Sequence, residues 1–209
     1  MAVEDPRTYD KTDEFTVFTV DATTVSYVDL DRDMQARVCD SKGAGHFSGD
    51  FTHQFECKYF NEATLAIAYF WELGDSDTDV GTQIANNENT VGLAYYDDTL
   101  ILRVREAGVS VDFDKYLTPT TNTAYFVTIV RTDATDTYVV TIRTGSHLGV
   151  EQDELIITAN NPLDFEWVFF VNSHDDGKNN DVDGYTKDFD LNEVAVTLPQ
   201  YMHHYQQQS

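Results

Sequence analysis

The chain has 209 residues, of which 41% are hydrophobic and 13% aromatic, enough to build one large β domain. It carries 37 acidic residues (Asp and Glu) against 13 basic residues (Lys and Arg), a formal net charge of −24 at pH 7. This charge argues against nucleic acid and anionic membranes as partners, because the sequence shows no basic patch to meet phosphate groups. It favours solubility, cation binding or a halophilic, high-salt setting.

The two ends of the chain differ from its middle. Residues 1–13 are polar and aperiodic, and are predicted to be an N-terminal arm. They do not resemble a secretory signal, and no apolar run reaches about 18 residues, so we expect no membrane insertion. Residues 14–198 are predicted to be one domain. Residues 199–209 lose all periodicity after Pro199 and are predicted to be a tail, and both ends are expected to contact other subunits of a homo-oligomer or larger assembly.

A period of two dominates from Phe15 onward and predicts β-strands. It runs through residues 65–73, 100–104, 109–113 and 138–142, with large apolar side chains at every second position. The dipeptide Asp97-Asp98, the dipeptide Ala107-Gly108 and residues 133–135 are predicted to close hairpins. Segments Tyr125–Val130 and Phe165–Val171 are apolar on both faces, which is typical of central strands. We expect a dozen to fourteen strands and little helix.

The same alternation selects the buried core. Trp71 and Trp167 share their parity with large hydrophobic residues, so both are assigned to the core rather than to a sugar-stacking surface. Cys39 and Cys57 are interpreted as small buried hydrophobic residues, with a single disulfide as the alternative. The other predicted core residues are Phe51, Phe55, Leu65, Ile67, Leu100, Leu102, Val111, Tyr125, Val127, Ile129, Val140, Ile142 and Phe169.

Three segments of the chain resemble strands of one known superfamily. Residues 45–55 are similar to the early core strand of the concanavalin A-like lectins and glucanases, in particular of their laminin-G-like branches. Residues 125–131 with 137–143 resemble the strand pair that crosses the back of that jelly roll, and 183–192 its closing strand. The resemblance covers residues 15–198 and implies a two-sheet antiparallel β-sandwich. It does not imply sugar binding, because this fold hosts lectins, hydrolases, lyases and structural modules.

No catalytic residues are predicted. Hydrolases of the superfamily place carboxylates at alternate positions of one strand, so that acid and nucleophile share a face. Glu151 and Glu154 are three residues apart and therefore point to opposite faces, and Asp164 with Glu166 gives only one pair. The chain is thus expected to belong to a non-catalytic branch and not to be an enzyme.

Two kinds of binding site are predicted. Tyr96 is the preferred sugar-stacking ring, with Asp97 beside it and His174 as further carbohydrate-binding residues. The acidic loop 174–184 combines carboxylates with flexible glycines, which favours calcium held by Asp175, Asp176, Asp181 and Asp183.

These features predict a non-catalytic structural and recognition module, such as a capsid-surface, tail or fibre component of a virion, or a component of another surface assembly. Glycan binding would then accompany assembly, and the protein would be found on a virion or at an extracellular surface. The alternative is a stand-alone lectin. A glycoside hydrolase or polysaccharide lyase is the third hypothesis, and it requires a carboxylate pair on the concave face.

Overall fold

The computed structural model describes residues 3–13, 16–30, 35–62, 67–174 and 182–191. Within these ranges the chain forms fourteen strands, one short helix and two 3₁₀ turns. The strands are β1 (Asp10–Thr12), β2 (Phe18–Val20), β3 (Thr24–Leu30), β4 (Arg37–Ser41), β5 (Phe51–Glu62), β6 (Ile67–Gly74), β7 (Thr90–Tyr96), β8 (Thr99–Glu106), β9 (Val109–Tyr116), β10 (Tyr125–Thr132), β11 (Thr137–Thr144), β12 (Val150–Thr158), β13 (Trp167–Ser173) and β14 (Val182–Asp190). The helix is α1 (Val80–Ala85). In the part of the chain described, no helix is long and apolar enough to cross a membrane.

The strands form two antiparallel sheets of seven. Sheet A has the order β1-β4-β13-β6-β7-β8-β9, and sheet B the order β12-β11-β10-β5-β14-β3-β2. The predicted all-β sandwich is therefore confirmed. The three predicted hairpins also form, joining β7 to β8, β8 to β9 and β10 to β11. The segments that carried the family resemblance become the adjacent strands β11, β10, β5 and β14 of sheet B.

The core lies between the sheets and is built from one face of each. It confirms the predicted inward positions Phe55, Trp71, Leu100, Leu102, Tyr125, Val127, Ile129, Val140 and Ile142. Phe51 and Val111 are partly buried against it, and Leu65 lies outside the described residues. Each large side chain removed from water in this way contributes about 1.5–3 kcal/mol.

Bulges in β6 and β13 move three predicted core residues out of the space between the sheets. In β6 the register shifts between Tyr69 and Trp71, so that Phe70 and Trp71 both point inward. Ile67 therefore lies on the outer face of sheet A, and the uniform alternation expected for this strand is wrong.

The bulge in β13 has the same effect on that strand. Its register shifts between Phe169 and Val171, and Phe170 and Val171 both face the core. Phe169 is buried but outside the core between the sheets, and Trp167 is only half-buried. The assignment of Trp167 to the core is therefore wrong.

A third bulge, in β9, reverses the faces that its later side chains occupy. Its register against β8 shifts at Val111, because Val104 pairs with Asp112 whereas Arg105 pairs with Ser110. Val111 still packs against the core, but Phe113 turns outward and is 55% exposed. The alternation of residues 109–113 predicted instead that Phe113 would share the face of Val111.

The described part of the N-terminal segment packs against its own sandwich. Strand β1 pairs with β4, Tyr9 joins the core, and the amide of Glu4 donates to the carbonyl of Phe189 at 2.8 Å. Residues 3–12 are thus held by contacts within the chain, and their contacts with other subunits stay a prediction. Residues 199–209 lie outside the described residues.

Both cysteines are unpaired buried thiols. Cys39 lies in β4 of sheet A and Cys57 in β5 of sheet B. Burial raises the pKa of Cys39 to about 12 and that of Cys57 still further, so both remain protonated. The interpretation of these residues as small buried hydrophobic groups is confirmed.

Candidate functional site

The outer face of sheet A carries a buried carboxyl group, a cationic and aromatic patch, and the predicted stacking residue Tyr96. Part of this face is covered by the segment 75–89, which leaves β6 and returns as β7. Its helix α1 begins at Asp79, whose carboxylate accepts from the Thr82 amide at 3.0 Å. Val80 and Ile84 of this helix pack against apolar side chains of the face: Ile67, Tyr69, Ala94, Ile101 and Tyr96.

Glu72 lies at the centre of the covered region. It is fully buried, and the Asn172 amide donates to its Oε2 at 2.8 Å and to the carbonyl of Thr78 at 3.3 Å. Burial raises the pKa of Glu72 to about 8, so the side chain is a neutral acid at neutral pH. A lone glutamate within the apolar run of β6 was the only signal for this group in the sequence.

Gly92 makes room for an aromatic ring beside Glu72. A Cβ at this position would lie 2.7 Å from Cδ1 of Tyr69, so the ring occupies space that any other residue would fill. The Tyr69 hydroxyl accepts from Nη1 of Arg105 at 3.0 Å. Arg105 is only 5% exposed, and its charge lies close enough to Glu72 to lower that group's pKa against the effect of burial.

Beyond the covered region, the outer face presents three side chains that we name the β8–β9 patch: Arg103, Phe113 and Lys115. Arg103 is the register partner of Gly92 on one side and of Phe113 on the other, and Lys115 is the partner of Ile101. The Lys115 ammonium lies 5.5 Å from the centre of the Phe113 ring. The sequence pattern missed this patch because it predicted the opposite orientation for Phe113.

The three predicted carbohydrate-binding residues lie at one end of sheet A. Tyr96 is the partner of Ile67, and the pairing of Ser173 with Ala68 places His174 level with Ile67 on the other side of β6. Tyr96 and His174 are thus two strand spacings apart, roughly 10 Å. Asp97 is exposed in the two-residue turn after Tyr96.

The turn beside Tyr96 is held in place by its second aspartate. Asp97 and Asp98 both have positive φ angles, of 47° and 61°, as a tight hairpin with this twist requires. The Asp98 carboxylate accepts a hydrogen bond from the Tyr95 hydroxyl, and the backbone amide of Asp98 donates one to the same hydroxyl, both at 3.0 Å. Asp97 is left facing solvent.

The predicted calcium ligands fall mostly outside the described residues. Asp175, Asp176 and Asp181 are among the residues that are not described, whereas Asp183 is in β14 and accepts from the amide of Asp29 at 2.8 Å. Within the described ranges, no group of three or more His, Cys, Asp or Glu side chains is arranged to hold a metal ion. Calcium at this loop stays a prediction.

The architecture matches solved structures over almost the whole chain. The legume lectin-like domain from Entamoeba histolytica superposes with a TM-score of 0.60 at 11% identity, covering 90% of this chain and 91% of that one. The chain has the concanavalin A-like jelly-roll fold. A functionally unknown protein from Saccharomyces cerevisiae matches with a TM-score of 0.59 at 9% identity, covering 90% and 97% of the two chains.

An enzyme also shares this fold. The family 7 alginate lyase A1-II′ matches with a TM-score of 0.54 at 12% identity, covering 84% of this chain and 83% of the lyase. No protein-family model and no curated protein matches the sequence. At these identities the likeness concerns the fold alone, so function is argued from the side chains of this chain.

Proposed function

We propose that the protein is a non-catalytic recognition module that binds a glycan at the end of sheet A formed by Tyr96, Asp97 and His174. The supporting observation is the strand register that brings these three residues to one end of a lectin-like sheet. An aromatic ring and polar side chains together provide the stacking and hydrogen bonding that sugars require.

The absence of catalysis is part of the proposal, and the position of Glu72 supports it. Its carboxyl lies at the middle of the outer face and is completely covered by segment 75–89 and Asn172. A general acid or nucleophile has to reach the glycosidic bond, which a fully buried carboxyl does not do. Asp112 and Asp114 of β9 point away from this face, toward β12.

The test is isothermal titration calorimetry of the purified chain against a panel of neutral and acidic oligosaccharides. Replacing Tyr96 by alanine is expected to weaken the binding of the recognised glycan about tenfold, the worth of one stacked ring. The matched control is Phe60→Ala, which removes a ring that is 43% exposed on sheet B. Binding by Y96A equal to wild type, or no binding of any glycan on the panel, would contradict the proposal.

A role as a component of a virion or other surface assembly is the second proposal, with a second copy of the chain as the contacting partner. It is favoured by exposed apolar side chains on and beside the edge strands β9 and β12, of which Leu148 is 94% exposed and Val150 is 69% exposed. Apolar groups concentrated in this way are typical of contact surfaces. Sedimentation velocity is expected to show an oligomer that Leu148→Asp dissociates, and a wild-type monomer at micromolar concentration would refute this role.

A further inference from the structure

The β8–β9 patch is an exception to the way in which the protein uses its few basic residues. Most basic side chains in the described ranges pair with a carboxylate, as expected when acidic residues outnumber them 37 to 13. The paired ones are Arg7, Lys11, Arg37, Lys42, Arg131, Arg143 and Lys187. Arg103, by contrast, makes no hydrogen bond or ion pair with any described residue, and its buried Nε has no acceptor there.

The strand pairing keeps acidic groups off this patch. Asp112 and Asp114 alternate with Phe113 and Lys115 along β9, so their carboxylates point to the opposite side. There they accept from the amides of Thr158 at 2.9 Å and Ile156 at 3.0 Å. The aspartates of β9 are thus engaged by strand β12, and the cationic groups are left on the outer face.

Arg103 is also partly desolvated without a counter-charge. Burial lowers its pKa, and the charge of Arg105 beside it acts in the same direction, while the ionisable hydroxyl groups of Tyr69 and Tyr96 act against both. A guanidinium withdrawn from water next to a second guanidinium gains strongly from an anion that bonds to it. The planar donor fork of Arg suits a carboxylate or a sulfate group.

Phe113 and Lys115 complete the site. The Phe113 ring is 55% exposed on a strand that pairs with that of Arg103, which makes it a flat apolar surface beside the charge. Lys115 lies 5.5 Å from the centre of this ring and supplies a second, mobile cation. A ring to stack on, flanked by two cations, matches a sugar that carries an acidic group.

We propose that the β8–β9 patch binds the carboxylate or sulfate group of an acidic glycan, with the sugar ring lying on Phe113. This inference rests on the proposed glycan-binding function and names its ligand class. The net charge of −24 does not prevent such binding at physiological salt, because charges beyond about 8 Å are largely screened while direct contacts are not.

The test uses the full chain and calorimetry in 0.15 M NaCl with three probes of equal length. These are a galacturonate hexamer, which carries carboxylates only, a κ-carrageenan hexamer, which carries sulfates only, and a neutral maltohexaose. We expect at least one acidic hexamer to bind about tenfold or more tightly than the neutral one, the worth of a charge-assisted hydrogen bond. Arg103→Gln and Lys115→Gln are each expected to remove most of this preference.

The matched control is Lys58→Gln on sheet B. The Lys58 ammonium lies 4.9 Å from the centre of the exposed Phe60 ring, an arrangement like that of Lys115 and Phe113. Both control residues belong to β5 of sheet B and not to the β8–β9 patch. This variant is expected to bind the acidic hexamer as wild type does. Should R103Q fail to fold by circular dichroism, the variant K115Q, which changes only a side-chain end at the surface, decides the outcome.

Two results would overturn the inference, and they are distinguishable from failure of the proposed function. Equal affinity for acidic and neutral hexamers, or unchanged preference in K115Q, would refute the acidic ligand while leaving Tyr96-dependent glycan binding in place. Absence of binding by every glycan, acidic or neutral, would refute both proposals together.

Discussion

The indole Nε1 of Trp71 in sheet A donates a 3.0 Å hydrogen bond to Nδ1 of His53 in sheet B. Both side chains are fully buried, and the bond requires a neutral imidazole with its proton on Nε2. It is a buried polar link between the two sheets. Trp71 faces inward only because of the bulge beside it.

The pH dependence of stability is expected to report this bond. Burial lowers the pKa of His53 to about 3 from 6.5, so between these values the unfolded chain binds the proton that the folded chain does not. The contribution of His53 is therefore complete above pH 6.5 and is lost as the pH falls toward 3, by about 1.4 kcal/mol per pH unit. Urea denaturation at pH 7, 6 and 5 measures it.

The control for His53 is the variant His53→Asn, which retains an acceptor near Nδ1 but does not titrate. The difference in unfolding free energy between wild type and H53N is expected to shrink as the pH falls from 7 to 5. A difference that stays constant over this range would show that His53 is not held neutral.

Glu72 is expected to change the free energy of unfolding with pH in the direction opposite to His53. Its pKa is raised to about 8 from 4.5, so between these values the folded chain holds a proton that the unfolded chain has lost. Its contribution is complete below pH 4.5 and is lost as the pH rises through 8. Glu72→Gln keeps an acceptor for Asn172, so we expect E72Q to gain stability over wild type between pH 5 and pH 8 in urea denaturation. Glu154→Gln, an exposed change, should show no such trend.

Arg131 is expected to be the most sensitive ionic residue of the chain. It is 1% exposed, and it donates to Asp136 at 2.6 Å, to the carbonyl of Leu163 at 2.7 Å and to the carbonyl of Phe47. Arg131→Met leaves a buried carboxylate unpaired, which costs about 3–5 kcal/mol. Arg143→Met, the control, breaks a partly exposed pair and should cost less than about 1 kcal/mol.

Thermal unfolding of both variants measures the difference, with Arg131→Met/Asp136→Asn as a third. Neutralising Asp136 removes the unpaired charge, so this double variant is expected to recover part of the lost stability. Equal losses for R131M and R143M would contradict the assignment of Arg131 as a buried, fully bonded cation.

The aspartates of β9 are expected to protect the edge of β12. Asp114 accepts from the Ile156 amide and Asp112 from the Thr158 amide, so each variant has an internal control. Asp114→Ala should accelerate hydrogen exchange at Ile156 about fivefold, the worth of one hydrogen bond, and leave Thr158 unchanged. Asp112→Ala should do the reverse. If the exchange rates of both amides in each variant stay at their wild-type values, these bonds do not protect the edge.

The sequence by itself determined the fold class, the hairpins and most of the core. Apolar side chains at every second position share one face of a strand but not of a helix, so runs such as 138–142 had to be strands. The number of these strands required two sheets. Short turn residues such as Asp97-Asp98 then set which strands pair. The outward position of Tyr96 was also predicted in this way, because only one of two adjacent rings on a strand can face the core, and here that ring is Tyr95.

Tertiary structure alone decided which face several residues occupy. A bulge adds one residue and reverses every position beyond it, and whether a strand bulges depends on its partners rather than on its own pattern. For this reason Trp167 and Phe113 were assigned to the wrong face. The burial of Glu72 depends on segment 75–89 folding back over the sheet, and the isolation of Arg103 depends on β12 engaging the aspartates of β9. Both arise from contacts between segments distant in sequence, which local alternation does not record.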